Sequence, residues 1–160
     1  VIHLDTVKLP HVEVVHDLNK FPWPFKDNEF DEVIARHVLE HLDDLVKVMR
    51  EIWRILKPNG ILKVWVPYFA SVNAYTDPTH KHFFTLGSFD YWDPKTSHGS
   101  FLGHQVKGRF AIRKKELVFP RIYRVIGVHI LAKEKPTLYE VFLSRIFPAY
   151  EMFIELEAIK

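Results

Sequence analysis

Residues 30–66 decide the fold, and they are FDEVIARHVLEHLDDLVKVMREIWRILKPNGILKVWV. The apolar run over 30–35 predicts a buried strand that ends in polar residues. From Asp43 onward apolar residues recur every three or four positions, which predicts an amphipathic helix. Residues 57–60 end this helix, because Pro58 disfavours helical geometry at the residue before it, and 61–66 form the next strand. This order, with connections this short, indicates a βαβ unit and a parallel sheet.

Two short β-branched runs precede this unit, and each ends in an aspartate. Residues 1–4 lead to Asp5, and residues 12–16 lead to Asp17. The segment 21–28 then combines two prolines with large aromatic side chains and turn residues, so we expect a loop there.

The second half of the chain has weaker patterns. Residues 68–108 are rich in aromatics, histidines and turn residues without a sustained period, which is typical of an insertion or lid. Residues 109–119 predict a strand and 136–146 a helix, whereas 123–131 fit either. The alternation over 152–159 predicts a closing edge strand.

Length and composition limit the function classes. With 160 residues, 48% of them hydrophobic, the chain suits one domain over residues 1–160. A net charge of +2 lacks the basic excess of a nucleic-acid-binding protein. The absence of cysteine excludes disulfides and thiolate chemistry and agrees with a reducing compartment. No apolar run is long enough for a membrane span, so we expect a cytoplasmic protein without nucleic-acid partners.

Residues 12–67 closely resemble the class I S-adenosylmethionine-dependent methyltransferases, in particular the small type 11 group. The likeness extends more loosely through 77–80 and 83–85. Four motifs occur in family order: His-Asp-Leu at 16–18, a Phe-Asp before a strand within 24–33, Leu-Glu-His within 37–42, and Leu-Lys-Pro-x-Gly at the end of 51–60.

The resemblance implies a Rossmann-like α/β fold, with a mostly parallel sheet flanked by helices, and S-adenosylmethionine as cofactor. In this family the cofactor lies across the carboxyl ends of the strands. Asp5 matches the residue that accepts both ribose hydroxyls, and Asp17 with Leu18 matches the adenine loop. Arg36 and His37 match the segment beside the methionine part and the reacting sulfonium.

The resemblance also implies an acceptor site after the strand that ends at Pro67. There we assign His80 as the catalytic base, and Tyr68, Tyr75, Asp77 and His82 as substrate-binding residues, with a small molecule as methyl acceptor. An alternative stays open, in which residues 77–80 form a structured turn that orders the lid.

One family feature has no counterpart in this chain. The family's first strand and glycine-rich loop should precede Val1, but all six glycines lie at or after Gly60. Three explanations are open: the chain is a fragment, a second copy fills the gap in a homodimer, or the sheet closes around the gap. Because the chain starts at a strand residue other than Met, we favour the explanation that it is a fragment. Without the loop we expect severely weakened cofactor binding.

Two other function classes remain. His37, Glu40 and His41 match the H-x-x-E-H pattern of inverted zinc peptidases, with His80 and His82 as further ligands. We expect no metal, because zinc binding needs His37 and His41 on one helical face; whether Glu40 and His41 are structural or functional stays open. The other class is a cofactor-deficient interaction module, which would use the aromatic side chains as a partner surface.

Overall fold

A computed structural model describes all 160 residues. Six strands are formed: β1 (Leu4–Asp5), β2 (Val14–Val15), β3 (Phe30–Arg36), β4 (Leu56–Pro67), β5 (Arg109–Val118) and β6 (Glu151–Ile159). The α-helices are α1 (Leu45–Ile55), α2 (Asn73–Thr76), α3 (Ser97–Leu102), α4 (Arg121–Val125), α5 (Val128–Glu134) and α6 (Pro136–Leu138). Short 3₁₀ turns cover Leu39–His41, Asp90–Trp92 and Gly103–Gln105, and a π-turn covers Tyr139–Leu143.

The strands form two sheets. Strands β1 and β2 pair in parallel, and a second sheet has the order β3-β4-β6-β5. Within it β3 and β4 are parallel, whereas β6 is antiparallel to both of its neighbours. The α/β class with flanking helices is therefore confirmed, and the sheet is mixed, with its antiparallel pairs in the carboxyl-terminal part.

Strand β6 is not the closing edge strand that its alternating pattern predicts. It lies between β4 and β5 and pairs with both along most of its length. This interior position explains why Met152, Ile154, Leu156 and Ala158 are all fully buried. The alternation of acidic and apolar residues therefore marks the two faces of an interior strand rather than an edge.

Helix α1 follows the predicted period. Asp44 is its N-cap, and the side-chain carboxylate accepts a hydrogen bond from Lys47 N at 3.0 Å. Val48, Met49 and Ile52 are buried on one face. This face packs into the main core, which also contains β3, β4 and β6 residues.

Residues 57–60 make the sharp connection expected after α1, although it is part of β4. The register between β3 and β4 shifts here, and Asn59 has a positive φ of 62°. A Cβ atom on Gly60 would lie 2.9 Å from the carbonyl oxygen of Lys57. Glycine is therefore required for the close backbone packing of this turn.

The aromatic loop 21–28 is held on α1 by an ion pair. Glu51 Oε2 accepts from Trp23 N at 2.9 Å and from Arg54 at 2.8 Å. Arg54 also donates to the carbonyl of Phe25 and the carboxylate of Asp27. This network fixes the connection between β2 and β3.

The segment 68–108 contributes to the core at several points. Phe84, Phe89 and Trp92 pack with the main core, and Asp93 Oδ2 accepts from Ile112 N in β5 at 2.8 Å. The role of the segment 68–108 as a lid stays a prediction.

The ambiguous region 123–131 is helical, since α4 and α5 occupy it. The helix predicted over 136–146 is formed by α6 and the π-turn. None of the helices combines the length and the apolar character that crossing a membrane requires.

Candidate functional site

The carboxyl ends of β1 and β2 bring Asp5 and Asp17 to the same edge. Asp5 is the last residue of β1, and its carbonyl oxygen accepts a hydrogen bond from His16 N at 2.9 Å. The segments that follow β1 and β2 therefore leave the sheet side by side. Asp5 Oδ1 accepts from Val7 N at 3.0 Å, and this bond lowers the pKa of the Asp5 carboxyl. Asp17 Oδ1 accepts from Asn19 N at 3.0 Å. Both carboxylates therefore cap turns; Oδ2 of Asp5 has no partner, whereas Oδ2 of Asp17 lies 3.9 Å from Lys20 Nζ.

Leu18 follows Asp17 and is half-buried against the main core. Its carbonyl oxygen accepts from the indole Nε1 of Trp23 at 3.0 Å. The aromatic loop thus fixes the backbone of the predicted adenine segment.

Arg36 and His37 lie where β3 ends. The Arg36 guanidinium lies 5.7 Å from the Trp65 ring centroid. His37 has a positive φ of 51°, which turns the chain away from the sheet. Its Nδ1 lies 3.4 Å from Glu40 Oε1, and its Nε2 lies 3.1 Å from Glu151 Oε2.

A polar cleft of about 350 Å³ opens beside His37. Its walls come from the end of β3, the end of β4, helix α2 with the turn after it, and the start of β6. Only one of the nine lining residues is hydrophobic, so the cleft suits polar chemistry. The lining residues are His37, Glu40, His41, Pro67, Asn73, Asp77, His80, Tyr150 and Glu151.

Two of the predicted acceptor-site residues, Asp77 and His80, line this cleft. Asp77 Oδ1 accepts from Thr79 Oγ1 at 2.7 Å and from Thr79 N at 2.8 Å, and these bonds lower the pKa of the Asp77 carboxyl. His80 Nδ1 contacts the carbonyl oxygen of Ala74 at 2.9 Å. A carbonyl only accepts, so Nδ1 carries the proton and Nε2 of His80 keeps its lone pair.

The other three predicted substrate-binding residues do not line the cleft. Tyr68 is completely buried in a second, smaller apolar cluster that also contains Phe119 and Tyr139. Its hydroxyl donates to Glu140 Oε1 at 3.1 Å, and burial strongly raises the pKa of Tyr68. Tyr68 is therefore a packing residue, and its assignment to the acceptor pocket is corrected. The reason is that the chain turns inward after β4, where Tyr68 forms a bridge with Phe84.

Tyr75 and His82 also lie outside the cleft lining. Tyr75 is exposed and stacks on Phe83 with ring centroids 4.9 Å apart. His82 Nε2 lies 2.8 Å from the carbonyl oxygen of Leu42 and therefore fastens the turn after Leu39–His41. The structure supports a packing role for His82 in place of substrate contact.

Glu40 and His41, which the sequence left open, belong to the cleft. The Glu40 side chain is 1% exposed, and neither carboxylate oxygen has a hydrogen-bond partner. His41 lies beside His80, with ring centroids 4.7 Å apart. The H-x-x-E-H pattern was a signal for these residues. No sequence pattern indicated that Asn73, Tyr150 and Glu151 line the cleft, because pairing between distant segments brings them there.

A second cleft of about 340 Å³ adjoins the first, and Tyr150 lines both. It is more apolar, because Val72, Pro120 and Ile122 contribute to its lining. A polar cleft and a more apolar cleft therefore lie side by side at Tyr150.

Comparison with known families decides the identity of the fold. Residues 3–64 match the sequence model of the family described as "Methyltransferase domain". The matched segment contains Asp5, Asp17, Leu18, Arg36 and His37, each of which lies at or shortly after the end of a strand. Residues 3–64 therefore resemble a methyltransferase domain, and the chain has the class I methyltransferase fold.

Solved structures agree with this fold. The chain superimposes on an S-adenosylmethionine-dependent methyltransferase from Archaeoglobus fulgidus with a TM-score of 0.60 and 18% identity, covering 92% of this chain and 68% of that chain. For the YcgJ protein of Bacillus subtilis the TM-score is 0.58 and the identity 18%, over 99% of this chain and 82% of that chain.

Curated relatives match parts of the chain. A demethylmenaquinone methyltransferase of Listeria welshimeri is 32% identical over 93 residues, which span 52% of this chain and 39% of the relative. A sterol 4-C-methyltransferase of Caenorhabditis elegans is 38% identical over 68 residues, 42% of this chain and 20% of the relative. The chain thus spans about two fifths of the length of the first of these relatives.

Proposed function

We propose that the protein transfers a methyl group from S-adenosylmethionine to a small-molecule acceptor bound in the polar cleft. One observation carries this proposal: His37 directly follows β3 inside the family-matched segment and also lines the cleft that contains His80. A cofactor beside His37 would therefore meet an acceptor beside His80.

The cofactor-binding roles go to the strand-end residues. Asp5 has a free oxygen and a lowered pKa, so its carboxylate is ionised and suited to accept from ribose hydroxyls. Asp17 and Leu18 would hold the adenine through one polar and one apolar contact. Arg36 and His37 would lie beside the methionine part.

The reaction requires alignment and one proton transfer. A lone pair on the acceptor attacks the methyl carbon as the carbon–sulfur bond breaks, and that bond's electron pair returns to sulfur to give S-adenosylhomocysteine. A hydroxyl or protonated amine acceptor must also lose its proton. His80 is the candidate to promote this loss, because its Nε2 lone pair is free at the cleft wall.

The adjoining clefts favour an acceptor with a polar reacting end and an apolar body. The second cleft, with Val72, Pro120 and Ile122, would take the apolar body. The two curated relatives are named for a menaquinone precursor and a sterol, which are molecules of this kind. A partner copy in a homodimer remains a separate prediction.

Calorimetric titration of S-adenosylhomocysteine tests the cofactor part. It should be run on this chain and on the chain extended by whatever residues its reading frame encodes upstream. We expect saturable binding by the extended chain, at least about tenfold weaker in its Asp5→Asn variant, which corresponds to about 1.4 kcal/mol, and severely weakened binding by the 160-residue chain. Asp31→Asn is the matched control, since Asp31 is exposed and bonds to Lys57.

Two outcomes would contradict the proposal. Absence of binding by both forms would favour the cofactor-deficient interaction module. Equal affinity of Asp5→Asn and wild type would remove Asp5 from the cofactor site.

A further inference from the structure

We propose that Glu40, His41 and His80 bind one divalent transition-metal ion at the wall of the polar cleft. One ligand atom from each of these residues lies within 4.8 Å of the other two. The set joins two neighbouring residues of the turn Leu39–His41 with one residue from the segment after α2. Two imidazoles and one carboxylate form a ligand set used by catalytic zinc and non-haem iron sites.

The backbone holds the two halves of this set together. The carbonyl oxygen of Glu40 accepts from Lys81 N at 2.7 Å and from His82 N at 3.2 Å. These bonds anchor the residues directly after His80 to the turn that carries Glu40 and His41. The relative position of the three ligands is therefore fixed without the ion.

The proton positions on both imidazoles suit metal binding. His80 donates Nδ1–H to the carbonyl oxygen of Ala74. Thr79 Oγ1 donates to Asp77 Oδ1 at 2.7 Å, so it accepts from His41 Nδ1 at 2.9 Å. Both Nε2 atoms therefore keep their lone pairs. Metal-binding histidines are oriented in this way, with the other ring nitrogen donating to an oxygen acceptor.

Glu40 supplies the second, independent observation. A buried carboxylate without a hydrogen bond is costly unless it is paired or binds a cation. The Glu40 carboxylate is 1% exposed and has no hydrogen-bond partner, and the nearest basic atom, His37 Nδ1, is 3.4 Å away. A divalent ion between Glu40 and the two Nε2 atoms would supply the missing partner.

This set differs from the zinc-peptidase pattern in the sequence. His37 belongs to that pattern, but its Nε2 faces Glu151 at 3.1 Å. His80, which is 39 or more positions away from the pattern, supplies the third ligand instead. The protein would therefore not hold the ion as an inverted zinc peptidase does.

The cleft gives the ion an open position. All three ligands lie on its wall, and a three-ligand site keeps a place for an oxygen of water or substrate. We assign this place to an acceptor hydroxyl, a step that rests on the proposed function. His80 would then act on the acceptor through the ion, which lowers the pKa of a bound hydroxyl.

The test measures Zn²⁺ binding without cofactor or acceptor, so that it is independent of methyl transfer. Calorimetry and elemental analysis of the wild-type chain should give one tightly bound ion. Loss of a residue that only hydrogen-bonds to a metal ligand typically weakens metal binding by roughly 10- to 100-fold. We expect a larger loss of Zn²⁺ affinity in each of the ligand variants Glu40→Gln, His41→Ala and His80→Ala. Thr79→Val, which removes the acceptor of the His41 proton together with the hydroxyl donor to Asp77, should lose Zn²⁺ affinity within that range. Co²⁺ absorption should report the same ligand loss.

His104→Ala is the control, because His104 is exposed and lies outside the cleft lining. The Glu40→Gln variant also shows whether a loss of metal binding comes from misfolding. Without metal it should unfold at no lower temperature than wild type, since it removes a buried charge that has no hydrogen-bond partner. Zn²⁺ binding that is absent in wild type, or equal in wild type and the three ligand variants, would overturn the proposal. A loss of S-adenosylhomocysteine binding with unchanged Zn²⁺ binding would contradict the proposed methyl transfer and leave the proposed metal site standing.

Discussion

His37 Nε2 lies 3.1 Å from Glu151 Oε2, so the residue after β3 is joined to the first residue of β6. Between these two strands lies β4, whose last residue, Pro67, pairs with Glu151. The contact therefore bridges across the end of the sheet. It holds His37 in place although that residue adopts a positive φ.

His37→Asn tests the role of this contact in cofactor binding. Asparagine tolerates positive φ better than most residues, so we expect the unfolding temperature to change little. It cannot reproduce the bridge to Glu151, and we expect about tenfold weaker binding of S-adenosylhomocysteine by calorimetry. His104→Asn is the control at an exposed site. Unchanged affinity in His37→Asn would remove this residue from the cofactor site.

Tyr68→Phe tests the correction of Tyr68 from substrate-binding to packing residue. The change removes a hydrogen bond to Glu140 and leaves the ring in the core, so we expect a loss of about 1–2 kcal/mol in the free energy of unfolding. Urea unfolding measures this loss. The kcat/KM for methyl transfer should stay at the wild-type value. A large fall in kcat/KM without loss of stability would return Tyr68 to the acceptor pocket.

Glu51 makes the stability depend on acid pH. Burial acts to raise its pKa, but the hydrogen bonds from Arg54 and Trp23 N outweigh burial and hold the pKa below 4.5. A carboxyl with a lowered pKa stabilises the fold above its unfolded value, and this contribution is lost as pH falls. The free energy of unfolding should therefore decline below about pH 4.5.

Glu51→Gln is the matching variant, since it keeps the shape and removes the titration. It should be less stable than wild type at pH 7, and its stability should fall less steeply in acid. Urea unfolding at a series of pH values measures both. Parallel pH profiles for the two proteins would show that Glu51 does not carry the effect.

Gly99 tests how tightly the segment 68–108 is packed. A Cβ atom there would lie 1.8 Å from the carbonyl oxygen of Asp93, so Gly99→Ala must displace backbone. We expect a loss of about 1–3 kcal/mol or more, seen as a lower unfolding temperature. Gly87→Ala is the control, because its nearest neighbour would be 3.7 Å away. Equal stability of both variants would contradict this packing.

Local patterns predicted the parts of the fold that local forces determine. The period after Asp43 correctly located α1, and Asp44 is its cap. The strand ends at Asp5 and Arg36 also follow from short apolar runs. These elements depend on neighbours within a few positions, which a single sequence displays directly.

Other parts depend on pairing between distant segments, which no local pattern contains. The interior place of β6 is set by its pairing with β4 and β5. The burial of Glu40 depends on the bonds from Lys81 and His82 to its carbonyl. Tyr68 directly follows the end of β4, and substrate contacts are common at strand ends. Its hydroxyl nevertheless donates a hydrogen bond to Glu140, which is distant in the sequence.

The interior position of β6 has a consequence for synthesis. During translation β4 and β5 emerge first, but each pairs with β6 and not with the other. Residues 151–159 must therefore leave the ribosome before the four-stranded sheet can close. Until then one edge of β4 and one edge of β5 stay unpaired, and such edges expose backbone groups that can pair with other chains.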